Sequence, residues 1–147
     1  MKWILPLFVL SLFVLPDSGL SARADPCPRR EAMFREINTP HLRDWSGLHR
    51  SFARFRHCDD GAMADGYSEF VTHTLAHRWD LLPQAEALFR GDPQFREFVI
   101  RHIDATTDSR DLEMVSANAR RHCPVQSKAL CSGIAHAAIS AIESQPK

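Results

Sequence analysis

The chain has 147 residues, and its 18 Lys+Arg balance its 18 Asp+Glu, so it is neutral apart from 8 histidines. That length suits one domain with a real core. The lack of a basic excess argues against nucleic acid or an anionic membrane surface as a partner.

Met1-Lys2 is a short positive start. Residues 3–15, WILPLFVLSLFVL, form an apolar run that is too short to anchor stably in a bilayer and contains Pro6. Ser21-Ala22-Arg23-Ala24 then offers a small-residue cleavage site. The expectation is a signal peptide over 1–24 and a single exported helical domain over 25–147, periplasmic or secreted. No second apolar run follows, so the mature chain is expected not to insert in a membrane. Setting aside Lys2, Arg23 and Asp17 leaves the remainder one negative charge from neutral.

All four cysteines, Cys27, Cys58, Cys123 and Cys131, lie in the exported part. An even count in an oxidising compartment reads as two disulfides with three pairings open. The favoured pairing is Cys27–Cys58 with Cys123–Cys131. The second bridge requires the last helix to start at Ser127, which puts Cys131 one turn in. A start at Pro124 would carry Cys131 about 10 Å along the axis, beyond reach. Pairing of Cys58 with Cys123 or Cys131 remains open at this point. The absence of a C-x-x-C pair argues against a thiolate zinc site.

The helical signals follow in order. Residues 31–37 read as a short helix with Met33, Phe34 and Ile37 inward. Thr39-Pro40 reads as the cap and first position of the next helix, with Trp45, Leu48, Phe52 and Phe55 on one stripe. Asp59-Asp60 then caps the helix that the rest is built around, running to Trp79. Its apolar rows are Met63, Tyr67, Phe70 and Thr74, and Ala64, Val71 and Leu75. Asp80 is expected to cap a shorter helix, tolerant of Pro83 in its first turn. Gly91-Asp92-Pro93 is read as a left-handed stop, a cap and a helix start. Asp104 to Ser109 is a polar loop. Asp108 or Ser109 caps a helix to about Arg121, and the last helix runs from Ser127 to Glu143. No stretch alternates with period two. The fold class is therefore all-α, an irregular, compact bundle of about five to six short helices stapled by disulfides.

No nucleophile elbow, H-E-x-x-H, phosphate loop or dinucleotide fingerprint is present. Oxidised cysteines leave no thiol nucleophile. These absences weigh against an enzyme, and no motif asks for an organic cofactor. The most specific local feature is the ridge Asp65, Glu69, His73 and His77, each four residues apart on the central helix. Two imidazoles at i and i+4 can chelate a divalent metal, with Glu69 adding an oxygen; zinc or copper is the metal implied. The plainer reading is a solvated border, because three ligands in a row on one helix do not easily face one ion. Asp59, Asp60, Asp65 and Glu69 form a carboxylate-rich helix start. They read either as capping that favours the helix dipole or as an acidic patch for a basic partner. His102 sits on an apolar stripe and reads as a hydrogen-bonded core histidine.

At the level of architecture the profile resembles the small exported helical proteins of bacteria, among them immunity proteins and inhibitors. The leading expectation is a protein-binding module that engages another protein in the cell envelope or outside the cell through the Asp59–Glu69 patch. The alternative is metal binding through Glu69, His73 and His77. The second alternative is a hydrolase with an unrecognised site on the same ridge, for which a concave pocket joining His73 to a carboxylate is the requirement.

Overall fold

Helical periodicity along the chain becomes seven α-helices in the computed structural model, which describes residues 27, 30–37 and 42–146. The expected signal peptide and the Thr39-Pro40 helix start lie outside the described residues. Among the described residues no strand forms, and no helix is long and apolar enough to cross a membrane. The all-α class is as expected. The short leading segment forms a full helix and brings the number to seven.

Helix α1 is Arg30–Ile37, and Met33 is its fully buried contact. Helix α2 is Trp45–Phe55. It is capped by Asp44, whose Oδ1 accepts from the Gly47 amide at 2.8 Å. Residues 42–44 are not helical, so the stretch expected to start at Pro40 becomes regular only after this cap. A short carboxylate that satisfies the open amides of a first turn defines where the turn begins. Helix α3 is Gly61–His77. Gly61 has φ +50°, a left-handed conformation that glycine alone adopts without a Cβ penalty. Helix α4 is Leu82–Gly91, after a 3-10 turn Trp79–Leu81. Asp80 sits in that turn and pairs with Arg78 at 3.2 Å rather than capping α4.

Helix α5 is Pro93–Arg101, with Asp92 accepting from the Phe95 amide at 3.1 Å. Gly91 is the last helical residue of α4, and the only positive φ among the described residues is that of Gly61. The expected left-handed stop is therefore replaced by Asp92, which is extended and ends one helix while capping the next. Helix α6 is Ser109–Arg121, capped by Asp108. Helix α7 is Lys128–Ser144, preceded by a 3-10 turn Val125–Ser127.

The bridges are Cys27–Cys58 and Cys123–Cys131, with Cα separations of 5.0 Å and 6.0 Å. The helix start at Lys128 puts Cys131 in the first turn, the condition that the shorter bridge needed.

One hydrophobic cluster runs through all seven helices. Its centre is aromatic. Phe52 of α2 meets Phe98 of α5 at 4.9 Å between ring centroids, and Phe98 meets Tyr67 of α3 edge-on at 5.1 Å. The Tyr67 hydroxyl is satisfied by Ser51 at 2.8 Å. Helix α3 thus touches α2 and α5 on one side and α1 and α6 on others. The two rows read on it explain this. Tyr67, Val71 and Leu75 are buried, whereas Asp65, Glu69, His73 and His77 stay exposed along its border.

Candidate functional site

Helix α6 lies along α3, and this seam carries the chemistry. Asn118 of α6 donates to the carbonyls of Leu75 and Ala76 at 3.0 and 2.9 Å, satisfying two acceptors in the last turn of α3. The seam's other end is set by the loop before α6. Asp104 Oδ1 accepts from the Thr106 amide and hydroxyl at 2.9 and 2.6 Å. Gln145, the residue that follows α7, donates to the Thr107 carbonyl at 2.8 Å. Asp108 caps α6 by accepting from the Arg110 amide at 2.8 Å. These bonds fix the direction of Asp111, in the first turn of α6.

Asp111 points at the exposed ridge of α3. Its Oδ1 lies 2.8 Å from His77 Nε2, and its Oδ2 lies 3.5 Å from His73 Nδ1. The two imidazoles lie with centroids 4.4 Å apart. One donor atom from each of His73, His77 and Asp111 falls within 4.8 Å of the others. Two imidazoles and one carboxylate suit zinc or copper. In a tetrahedral zinc site such donors sit roughly 3.3 Å apart, given bond lengths of about 2.0–2.1 Å. The difficulty of lining three ligands on one helix is thus avoided, because the third donor comes from a neighbouring helix.

Glu69, one turn before His73, is not in this cluster. It lines an adjoining cleft of about 390 Å³ with Asp65, Thr72 and His73 of α3 on one wall and Thr106, Asp108 and Asp111 on the other. The cleft therefore joins His73 to several carboxylates, the arrangement the hydrolytic alternative asks for.

The remaining patch residues divide. Asp60 occupies the N-cap position of α3 with extended backbone but without a side-chain capping bond. Asp59 turns inward, 8 % exposed, and meets Arg101 at 2.7 Å and His102 Nε2 at 3.1 Å. Side-chain capping, the plain reading of both aspartates, therefore accounts for neither: Asp60 makes no capping bond and Asp59 is turned to Arg101 and His102.

His102 sits beyond the last turn of α5, 3 % exposed, and its Nδ1 lies 2.9 Å from Ser68 Oγ. The Ser68 hydroxyl donates to Asp104 Oδ2 at 2.6 Å. Because the serine proton is given to Asp104, Nδ1 must be the donor to Ser68. Nε2 faces the Asp59 carboxylate, so the buried His102 ring bridges Asp59 directly and Asp104 through Ser68. Burial pushes the Asp59 carboxyl up, but the hydrogen bonds from His102 and Arg101 outweigh it and hold Asp59 below the usual carboxylate range. Burial raises Asp104 too, and the bonds from Ser68 and Thr106 bring it below that range.

Serine, histidine and aspartate here do not make a nucleophile. Ser68 is fully buried, and its proton is directed at a carboxylate rather than at a free imidazole nitrogen. Spacing could show neither this network nor Asp111, since their partners lie 34 to 43 residues apart. The only local hint was His102 on an apolar stripe, where a polar ring needs partners.

Compared with known proteins, the chain matches no family model, and no curated protein and no solved structure is similar to it.

Proposed function

We propose that this chain is an exported metal-binding protein that holds zinc or copper on His73, His77 and Asp111. The observation that carries the reading is the convergence of three metal-type donors from two helices within 4.8 Å. Two features support export: the disulfides, which persist in oxidising compartments, and the apolar run at 3–15 followed by a cleavage-like site. This reading stands ahead of a protein-binding module because Asp59, part of the acidic patch that module needs, is engaged with His102 and Arg101.

Metal that binds only the folded state stabilises it by about 2.7 kcal/mol at a hundredfold excess over Kd. For a chain of this size, zinc or copper should then raise Tm by roughly 8 °C. His73→Ala and His77→Ala should each abolish the rise, and Asp111→Asn should reduce it. No rise at saturating metal would end the proposal.

The cleft that joins His73 to carboxylates favours one second reading. Three protein ligands leave a coordination position for water, the pattern of hydrolytic zinc sites. The zinc-loaded sample assayed on ester, phosphoester and peptide substrates should show turnover that His77→Ala removes. Turnover that survives in His77→Ala, or none at all, counts against hydrolysis while leaving the metal reading intact.

A further inference from the structure

The chain's balanced charge is unevenly placed. Between Glu113 and Glu143 the sequence has no Asp or Glu, yet Arg120, Arg121, His122, Lys128 and His136 fall within it. This stretch is the end of α6, the 3-10 turn and nearly all of α7. The same elements form an open groove of about 590 Å³. On α7 its wall is Lys128, Ser132, Ala135, His136 and Ile139, which recur at helical spacing and so make one face about 16 Å long. This face lies beside the one that α7 buries through Leu130, Ile134, Ala138 and Ala141.

The exposed large apolar side chains among the described residues are Met114, Val125 and Ile139, and two of these three border the groove, Val125 from the turn and Ile139 from the far end. Val125 is 79 % exposed although its turn is firmly held. The Ser127 amide donates to the Pro124 carbonyl at 2.9 Å, the Ser127 hydroxyl donates to Glu86 at 2.7 Å, and the Cys123–Cys131 bridge closes across the turn. Apolar groups gathered at one concavity and rimmed by polar ones mark an interaction surface. Here the rim is basic. Arg120, Lys128 and His136 line it, and among the described residues no acidic side chain does. Neither Arg120 nor Lys128 forms an ion pair among the described residues. Lys128 also stands at the start of α7, where a cation opposes the helix dipole and lowers stability. An unpaired lysine there serves something other than the fold.

We infer that this groove docks an amphipathic helix of another protein, whose apolar face covers Val125, Ala135 and Ile139 and whose carboxylates meet Arg120 and Lys128. Shape and charge select that occupant. A small ligand needs most of its surface enclosed, whereas here the apolar groups at both ends stand open. A length of about 16 Å is three turns of helix, enough for anchors at i, i+3, i+4 and i+7. The unpaired cations favour an acidic flank. The groove shares no residue with the His73, His77 and Asp111 cluster or with the Asp59–Glu69 patch, so the inference does not rest on the metal reading.

The test is calorimetric titration of the full disulfide-bonded chain, in chelator, with a synthetic helical peptide. The probe has about 18 residues, long enough to hold a helix, with leucines at i, i+3, i+4 and i+7 and glutamates beside them. A second peptide keeps the leucines and carries lysine in place of every glutamate. Saturable one-to-one binding of the acidic peptide is expected, weakening as salt rises. Arg120→Gln with Lys128→Glu should weaken it roughly tenfold or more, and so should Val125→Ser with Ile139→Ser. Lys128→Glu alone should weaken binding while leaving Tm unchanged or higher, because the helix dipole then gains; the loss of binding is thus not a loss of fold. The zinc-induced rise in Tm should persist in these variants. Equal binding of both peptides, or of neither at millimolar concentration, overturns the inference. Cosedimentation with phosphatidylglycerol vesicles in the absence of peptide binding overturns it by making the basic face a lipid contact. A concentration-dependent dimer that Val125→Ser dissolves overturns it by making the occupant a second copy.

Discussion

Asp59 and Asp104 flank the buried His102 ring, Asp104 through Ser68, and both are stronger acids in the fold than in the open chain. The sign of the pH dependence follows. A carboxylate whose folded pKa lies below its unfolded value contributes stability that is complete above the unfolded value. That stability is lost as pH falls through the folded value. With an ordinary aspartate value of 3.8, stability should hold from neutral pH down to about pH 4 and then fall steeply. Urea midpoints measured from pH 2 to 7 should show this slope. Asp59→Asn should flatten it and lower stability at neutral pH by about 2–3 kcal/mol, because His102 would lose a charged partner. A slope unchanged in Asp59→Asn would mean that other carboxylates carry the acid lability. Asp59 shows how one residue can be read correctly by type and wrongly by role. Beside a helix start it has the form of a cap, yet its side chain turns to the buried His102 ring 43 residues away.

The elements were more legible than their contacts. The period of α3 distinguishes its buried rows from the ridge of Asp65, Glu69, His73 and His77, and the burial agrees. The start of α7 at Lys128 agrees with Ser127 as its cap position, and the bridges are the favoured one of three pairings that spacing alone left open. What no local rule reaches is which face of α6 meets α3. That choice brings Asp111 to the histidines, and Asn118 helps to fix it through two bonds to α3 carbonyls. The start of α2 and the conformation that ends α4 at Gly91 differ from expectation for a related reason. Asp44 and Asp92 each accept from a first-turn amide, and such a cap overrides the weaker signals of a nearby proline or glycine. Asn118→Ala should leave two acceptors without their donor and cost roughly 1–2 kcal/mol. It should also loosen the seam, so zinc affinity should fall although Asn118 touches no ligand. A stability loss with zinc affinity unchanged would show that the α6 cap alone positions Asp111.

At the scale of the whole molecule, the two disulfides act on different parts of the chain. Cys27–Cys58 spans 31 residues and ties the leading segment, with the eight-residue α1, to the turn before α3. A helix that short does not persist alone in water, so its docking depends on burial of Met33 and on this bridge. Cys123–Cys131 spans 8 residues and only tightens the turn from α6 to α7, two helices already packed closely together. Loop-closure entropy gives the longer bridge about 3.7 kcal/mol and the shorter about 2.6 kcal/mol. The paired change Cys27→Ser/Cys58→Ser should therefore lower stability more than Cys123→Ser/Cys131→Ser, by about 1 kcal/mol in chemical denaturation. The functional consequence should run the other way. His73, His77 and Asp111 sit on the α3–α6 seam, and the register of α6 is held from its far side by α7. Loss of the shorter bridge frees the α6–α7 turn and should weaken metal binding, whereas loss of the longer one should spare it. If zinc affinity instead tracks global stability across both pairs, the seam is not an independent unit, and the site is positioned by the fold as a whole.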